Sequence, residues 1–129
     1  MEKKEHTNEE RAMVYVFGQN SYGELGLGDS EERQLPTPIN YFSHLDIVSV
    51  AAGNEHTAVL TRSGEVYTFG FNGSGQLGHS NNKSIALPKA VEALKSVKIA
   101  QLSSANGCEH LAAVSDDGCL YSCGYNNYG

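Results

Sequence analysis

Gly53-Asn-Glu-His56-Thr-Ala-Val-Leu60-Thr-Arg-Ser-Gly64-Glu-Val-Tyr-Thr-Phe69-Gly70-Phe-Asn-Gly-Ser-Gly75-Gln-Leu77-Gly78 decides the reading, because the chain repeats it on both sides. Its second half, from Gly70 to Gly78, has an earlier echo in Gly18-Gln-Asn-Ser-Tyr-Gly23-Glu-Leu25-Gly26. A later echo opens as Gly124-Tyr-Asn-Asn-Tyr-Gly129. Each copy follows a short aromatic or apolar run: Val14-Tyr-Val-Phe17, Val66-Tyr-Thr-Phe69 and Leu120-Tyr-Ser-Cys123. Gly18 and Gly70 lie 52 residues apart, and Gly70 and Gly124 lie 54 apart. A fixed period of this length marks a repeated supersecondary unit that leans on its neighbours for a core.

The first half recurs in the same register. Gly53 precedes His56 by three residues, as Gly107 precedes His110, and each His lies fourteen residues before the next repeat Gly. Pro36 and Pro88 each follow a repeat Gly, Gly26 or Gly78, by ten residues. The two extra residues of the second period therefore fall between Pro88 and Gly107.

These residues resemble the regulator of chromosome condensation repeat family. Its pattern runs through a G-x-x-H-T strand, a turn ending in Gly, a V-Y-x-F/W-G strand and N-x-x-G-Q-L-G. The resemblance covers about Val14 to Gly129, with Glu24 in place of the usual Gln and Cys123 in place of the usual aromatic. It implies an all-β fold, part of a seven-bladed β-propeller of about two blades plus a first strand. The expected organisation is a polar tail over 1–12, then an incomplete propeller over 13–129 with units of about 13–26, 27–78 and 79–129. Seven such units need about 360 residues. The chain is therefore expected to be the N-terminal part of a longer ring, with Val14–Phe17 completing the last blade. Alone it is expected to expose sheet edges and to self-associate.

Strands are expected at Val14–Phe17, Ile47–Ala52, Thr57–Thr61, Glu65–Phe69, Ile99–Ser104, Leu111–Ser115 and Cys119–Cys123. Asn54-Glu55, Ser63-Gly64 and Asp116-Asp-Gly118 make the turns. Ala58-Val-Leu60 and Val66-Tyr-Thr-Phe69 lack alternation, which fits sheets buried on both faces. Pro88 to Val97 carries helix formers with Val91, Leu94 and Val97 apolar. The aligned stretch Pro36 to Ile47 shows no such pattern, so a short outer strand followed by a loop is expected in both.

The chain has 129 residues with 40% hydrophobic and 19% charged, enough for one domain but not for a closed propeller. Its net charge of -6 repels phosphate backbones, so direct nucleic-acid binding is not expected. Met1 to Arg11 lacks the apolar core of a signal peptide, and nothing later suffices to span a membrane as a helix. A reducing compartment, cytoplasm or nucleus, is the expectation.

Gly18-x-x-x-x-Gly23 and Gly70-x-x-x-x-Gly75 lack the Lys-Ser/Thr of a phosphate-binding loop. Gly18, Gly23, Gly26, Gly53, Gly70, Gly75, Gly78, Gly107 and Gly124 read instead as structural, supplying positive φ and close packing. His56 and His110, at equivalent positions, read as structural hydrogen-bond donors to backbone. Cys108, Cys119 and Cys123 are close in sequence and raise a zinc site, but the aligned positions of the previous unit, Asn54, Glu65 and Phe69, repeat no ligand set. On one strand Cys119 and Cys123 would sit about 13 Å apart at ~3.3 Å per residue. Buried free thiols are expected, and neither metal nor cofactor. The repeat tyrosines, Tyr15, Tyr22, Tyr67, Tyr121, Tyr125 and Tyr128, are expected to pack between blades. With no Trp, a tryptophan-based light sensor of the kind some members of this family are is excluded.

The expected function is non-catalytic protein–protein recognition on a propeller scaffold. The alternative that the resemblance implies is guanine-nucleotide exchange on a Ran-like small GTPase. By the same resemblance, turn residues beside the repeat His face the partner, which makes Asn54, Glu55, Cys108 and Glu109 candidate contacts.

Overall fold

The computed structural model describes residues 11–129, so most of the expected tail lies outside the described residues. Among the described residues, nine strands form three antiparallel sheets. A two-stranded sheet pairs β1 (Tyr15–Gly18) with β2 (Arg33–Pro38). The central sheet orders β3 (Ile47–Ala52), β4 (His56–Thr61), β5 (Val66–Gly70) and β6 (Ile85–Ala90). The last orders β7 (Ile99–Ser103), β8 (His110–Ser115) and β9 (Leu120–Gly124). Neighbours in sequence are neighbours in the sheet, a meander. β1, β5 and β9 are equivalent, as are β2 and β6.

The sheets pack face to face, and the central one is buried on both sides. Val59, Tyr67 and Phe69 face Ile39 and Phe42, which follow β2. Ala58, Leu60 and Val66 face Val91, Ile99, Leu111 and Ala113 of the next layer. Successive side chains of β4 and β5 point to opposite faces. Both faces are dry, which is why the sequence shows a run instead of an alternation. Each fully buried Val, Leu or Phe contributes about 1.5–3 kcal/mol of apolar transfer.

Prolines occupy the outer strands, where a missing N–H costs no ladder bond. Pro36 and Pro88 fall in the stretches that the pairing skips, between Arg33 and Thr37 and between Ile85 and Lys89.

One expectation needs correction here. The stretch after each outer strand is not a plain loop but a 3₁₀ turn, Asn40–Phe42 and Glu92–Leu94. Leu94 N donates to Val91 O and Val97 N to Leu94 O, so Val91, Leu94 and Val97 recur at the three-residue spacing of that turn. The aligned stretch carries the same pattern as Ile39, Phe42 and Leu45, with matching bonds. The spacing of three is present in that stretch as well, directly after Pro38.

The two-residue insertion is also sharply placed. Ile47 and Ile99 pair equivalently with Thr61 and Ser115, while His56 and His110 pair with Gly70 and Gly124. The extra residues therefore enter the loop between β7 and β8, on the side of the molecule where the candidate contacts lie.

Candidate partner-binding rim

The β3–β4 and β7–β8 loops touch. Asn54 N donates to Cys108 O at 2.9 Å, which ties the two candidate pairs, Asn54-Glu55 and Cys108-Glu109, into one rim. All four residues are half-buried. Each loop is also fixed from below: Phe71 N donates to Glu55 O at 2.7 Å, and Tyr125 N donates to Glu109 O at 2.9 Å. The inner strands of the two sheets, β3 and β7, are also in contact.

Glu55 adopts φ 59, in the left-handed region that L residues with a Cβ disfavour by about 1–2 kcal/mol. No hydrogen bond from its carboxylate offsets that cost among the described residues. Non-glycine strain of this kind concentrates where a loop is shaped for a partner.

His56 anchors the rim. It is buried, and its Nδ1 lies 3.1 Å from Asn54 O, which can only accept, so Nδ1 carries the proton. Nε2 lies 3.2 Å from Ser104 Oγ on the following sheet, and that hydroxyl is also 3.2 Å from His110 O. The Ser104 hydroxyl thus has one proton and two acceptors within reach, His110 O and the unprotonated Nε2 of neutral His56. Burial holds the His56 pKa below its ordinary value; the bond to Asn54 O opposes this, and nearby His110 adds to it. Gly53 has no room for a side chain, since a Cβ would run into the His56 ring and lie 2.6 Å from Ser104 Oγ. His110, the equivalent residue, is exposed.

At Gly70, as at its equivalent Gly124, positive φ and crowding coincide. At φ 105, a Cβ there would stand 2.5 Å from Glu55 O, the carbonyl that positions the rim. Gly107, at φ 80, has open space around it.

The sequence reading gave no role to the asparagine two residues after each repeat Gly, yet it knits the loop. Asn72 is buried; its Nδ2 donates to Asn81 O at 2.8 Å and Lys83 O at 3.1 Å, and its Oδ1 accepts from Leu77 N at 3.0 Å. Asn20 does the same with Asp29 O, Glu31 O and Leu25 N. The available signal was recurrence, since Asn20, Asn72 and Asn126 share a register. In the first unit Asp29 also pairs with Arg33 at 2.7 Å, and that guanidinium holds the Asp29 carboxyl below its usual range.

Two further expectations fail. Cys119 is exposed, because it precedes β9 in the hairpin turn; Cys108 and Cys123 are half-buried. Among the described residues no three His, Cys, Asp or Glu side chains gather as a metal site would require. Of the repeat tyrosines only Tyr67 is buried, at 9% exposed. Tyr15, its counterpart, is 56% exposed, and Phe17 is 64% exposed where Phe69 is 0%. β5 lies between β4 and β6, whereas β1 pairs on one edge alone.

A meander of four strands, stacked face to face on its own copies and turned by a recurring glycine loop, is the blade of a β-propeller. The regulator of chromosome condensation (RCC1) repeat matches residues 12–60 and 63–114, and a second form of it matches 47–76. The chain belongs to that family. It is 35% identical over 116 residues to the ultraviolet-B receptor UVR8 of Arabidopsis thaliana, covering 90% of this chain and 26% of that protein. It is 38% identical over 112 residues to the probable E3 ubiquitin-protein ligase HERC3 of Homo sapiens, covering 86% and 10%. Human WBSCR16 superposes with a TM-score of 0.80 at 29% identity, over 94% of this chain and 31% of that one. Prp20p of Saccharomyces cerevisiae, solved in a study of its binding to Gsp1p and histones, gives 0.74 at 26%, over 94% and 31%. The chain thus spans less than a third of each of these relatives.

Proposed function

We propose that this chain is the protein-recognition part of a propeller scaffold, with no chemistry of its own. The observation that carries the reading is the hydrogen-bonded rim. Two loops of adjacent blades are locked together through Asn54 and Cys108, with Glu55 and Glu109 set at equivalent places on it. Rigid sheets carrying charged loops suit recognition, because little conformational entropy is lost on binding. The net charge of -6 favours a partner with a basic face over a nucleic acid. The relative studied for its binding to Gsp1p and histones supports protein partners as a class. Three unpaired thiols suit a reducing compartment, cytoplasm or nucleus.

Affinity capture with the chain and with a Glu55→Lys/Glu109→Lys variant tests the reading. Partners held through the rim should drop at least tenfold with the variant, and the remaining affinity should show a changed salt dependence. An identical set of partners at identical affinity would overturn it. Exchange is separated by following release of a fluorescent guanine nucleotide from Ran. The scaffold reading expects no acceleration by the chain; acceleration that the variant abolishes would establish the exchange reading instead.

A further inference from the structure

The chain holds two Asn-Gly dipeptides, Asn72-Gly73 and Asn106-Gly107, and the fold treats them in opposite ways. An asparagine followed by glycine can cyclise on itself, because no Cβ on the second residue blocks the approach of its nitrogen to the carboxamide. Asn72 is fully buried, and its carboxamide is engaged by the Asn81, Lys83 and Leu77 backbone. Asn106 and Gly107 are both exposed. They form the centre of a tight turn closed by Cys108 N donating to Ala105 O at 2.9 Å, with Gly107 at φ 80. Among the described residues Gly107 N has no hydrogen-bond acceptor, and nothing lies within 4 Å of where a Gly107 Cβ would stand. The turn leans toward the central sheet. Asn106 borders the groove lined by Val50, Gly53, Asn54, Glu55 and His56, and the neighbouring Cys108 O accepts from Asn54 N. The sheet on that flank has all four of its strands, so Asn106 projects over finished structure and is still exposed.

We propose that Asn106-Gly107 is a self-modification site, at which the rim slowly gains a carboxylate by deamidation. The Gly107 backbone nitrogen attacks Asn106 Cγ and a C–N bond forms. The side-chain nitrogen leaves as ammonia, carrying away the proton that the Gly107 amide gives up. Water then adds to either carbonyl of the resulting cyclic imide and opens it. One opening gives aspartate; the other gives isoaspartate, in which the main chain runs through the former side chain. Nothing is oxidised or reduced, and water is the co-reactant. One added carboxylate takes the net charge from -6 to -7 and places the new charge on the rim that carries Glu55 and Glu109. Isoaspartate also adds a backbone carbon between two points that tie the loop to its neighbour. These are Ser104, whose Oγ lies 3.2 Å from His56 Nε2, and Cys108, whose carbonyl holds Asn54 N. The reaction needs only the chain and water, so it stands apart from the recognition reading.

Incubating the full chain in mildly alkaline buffer, with peptide mapping by mass spectrometry at intervals, tests the proposal. Asn72 must give up its backbone hydrogen bonds before its carboxamide can reach the Gly73 nitrogen. Asn106 should therefore convert at least about tenfold faster than Asn72, and should yield both aspartate and isoaspartate. Gly107→Ala sets a methyl group beside the attacking nitrogen and should slow conversion of Asn106 by about tenfold. The same chain unfolded in guanidinium is the control that does not depend on a variant. There both asparagines precede glycine in open chain and should convert at similar rates. Equal rates at the two sites in the folded chain would overturn the proposal. So would an Asn106 that stays intact while the unfolded chain converts, because the turn would then be held closed. A rate difference that persists undiminished in guanidinium would also overturn it, since the selectivity would then owe nothing to the fold.

Discussion

Replacing Asn72 by Ala removes the tie of one glycine-rich loop and tests whether that loop is held by the asparagine or by the glycines alone. The side chain is fully buried and makes three bonds to backbone, two to carbonyls and one from Leu77 N. The Asn81 and Lys83 carbonyls belong to exposed residues and can turn to water. Leu77 is fully buried, so its N–H is left without a partner. One buried unsatisfied donor costs about 1–3 kcal/mol, and the lost charge-free bonds about 0.5–1.5 kcal/mol each before water replaces them. The expected loss is about 2–4 kcal/mol. With a urea m-value of about 2 kcal/mol/M, the midpoint should fall by about one to two molar and m should not change. Asn72→Asp keeps the acceptor for Leu77 N but turns a carboxylate toward two carbonyls, so it should be no milder than Ala. Hydrogen exchange at the Leu77 amide should quicken in both variants. A loss below about 1 kcal/mol, with Leu77 still protected, would refute the argument and leave loop closure to the glycines.

Three further outcomes follow from the same geometry. Gly70→Val forces a branched side chain into φ 105 and a Cβ onto Glu55 O, and should cost at least 2 kcal/mol by thermal melting, whereas Gly107→Ala, strained in φ but uncrowded, should cost about 1 kcal/mol. Glu55→Gly relieves the left-handed strain and should raise stability by about 1 kcal/mol while weakening capture of rim-bound partners; a lowered melting temperature would show that the Glu55 side chain is held by contacts. His56 and His79 are both held below the ordinary histidine pKa by burial, so the unfolded chain takes up protons that the fold refuses. Their contribution is intact above about pH 6.5 and is lost as pH falls below it. Urea midpoints measured from pH 7.5 to 5.5 should decline, and less steeply in His56→Asn/His79→Gln; an unchanged slope in that variant would place the titration elsewhere.

The repeat was decided by the sequence alone. Glycines at fixed spacing, the Val-Tyr-x-Phe runs and the G-x-x-H-T block are local features, and each dictates a local structure: a positive-φ turn, a strand, a hairpin. The two-faced burial of β4 and β5 was also legible, since Ala58-Val-Leu60 has no polar alternation to spare. What escaped depended on a partner distant in sequence. Asn72 looks like any loop asparagine until the Asn81 and Lys83 carbonyls fold back onto it. Ser104 becomes part of the His56 site only when the next sheet docks. Tyr15 and Tyr67 are the same residue in the same motif, yet one is exposed and one buried, because burial belongs to the strands on either side and not to the residue. Periodicity writes the elements into the chain, but burial is a property of the packed assembly.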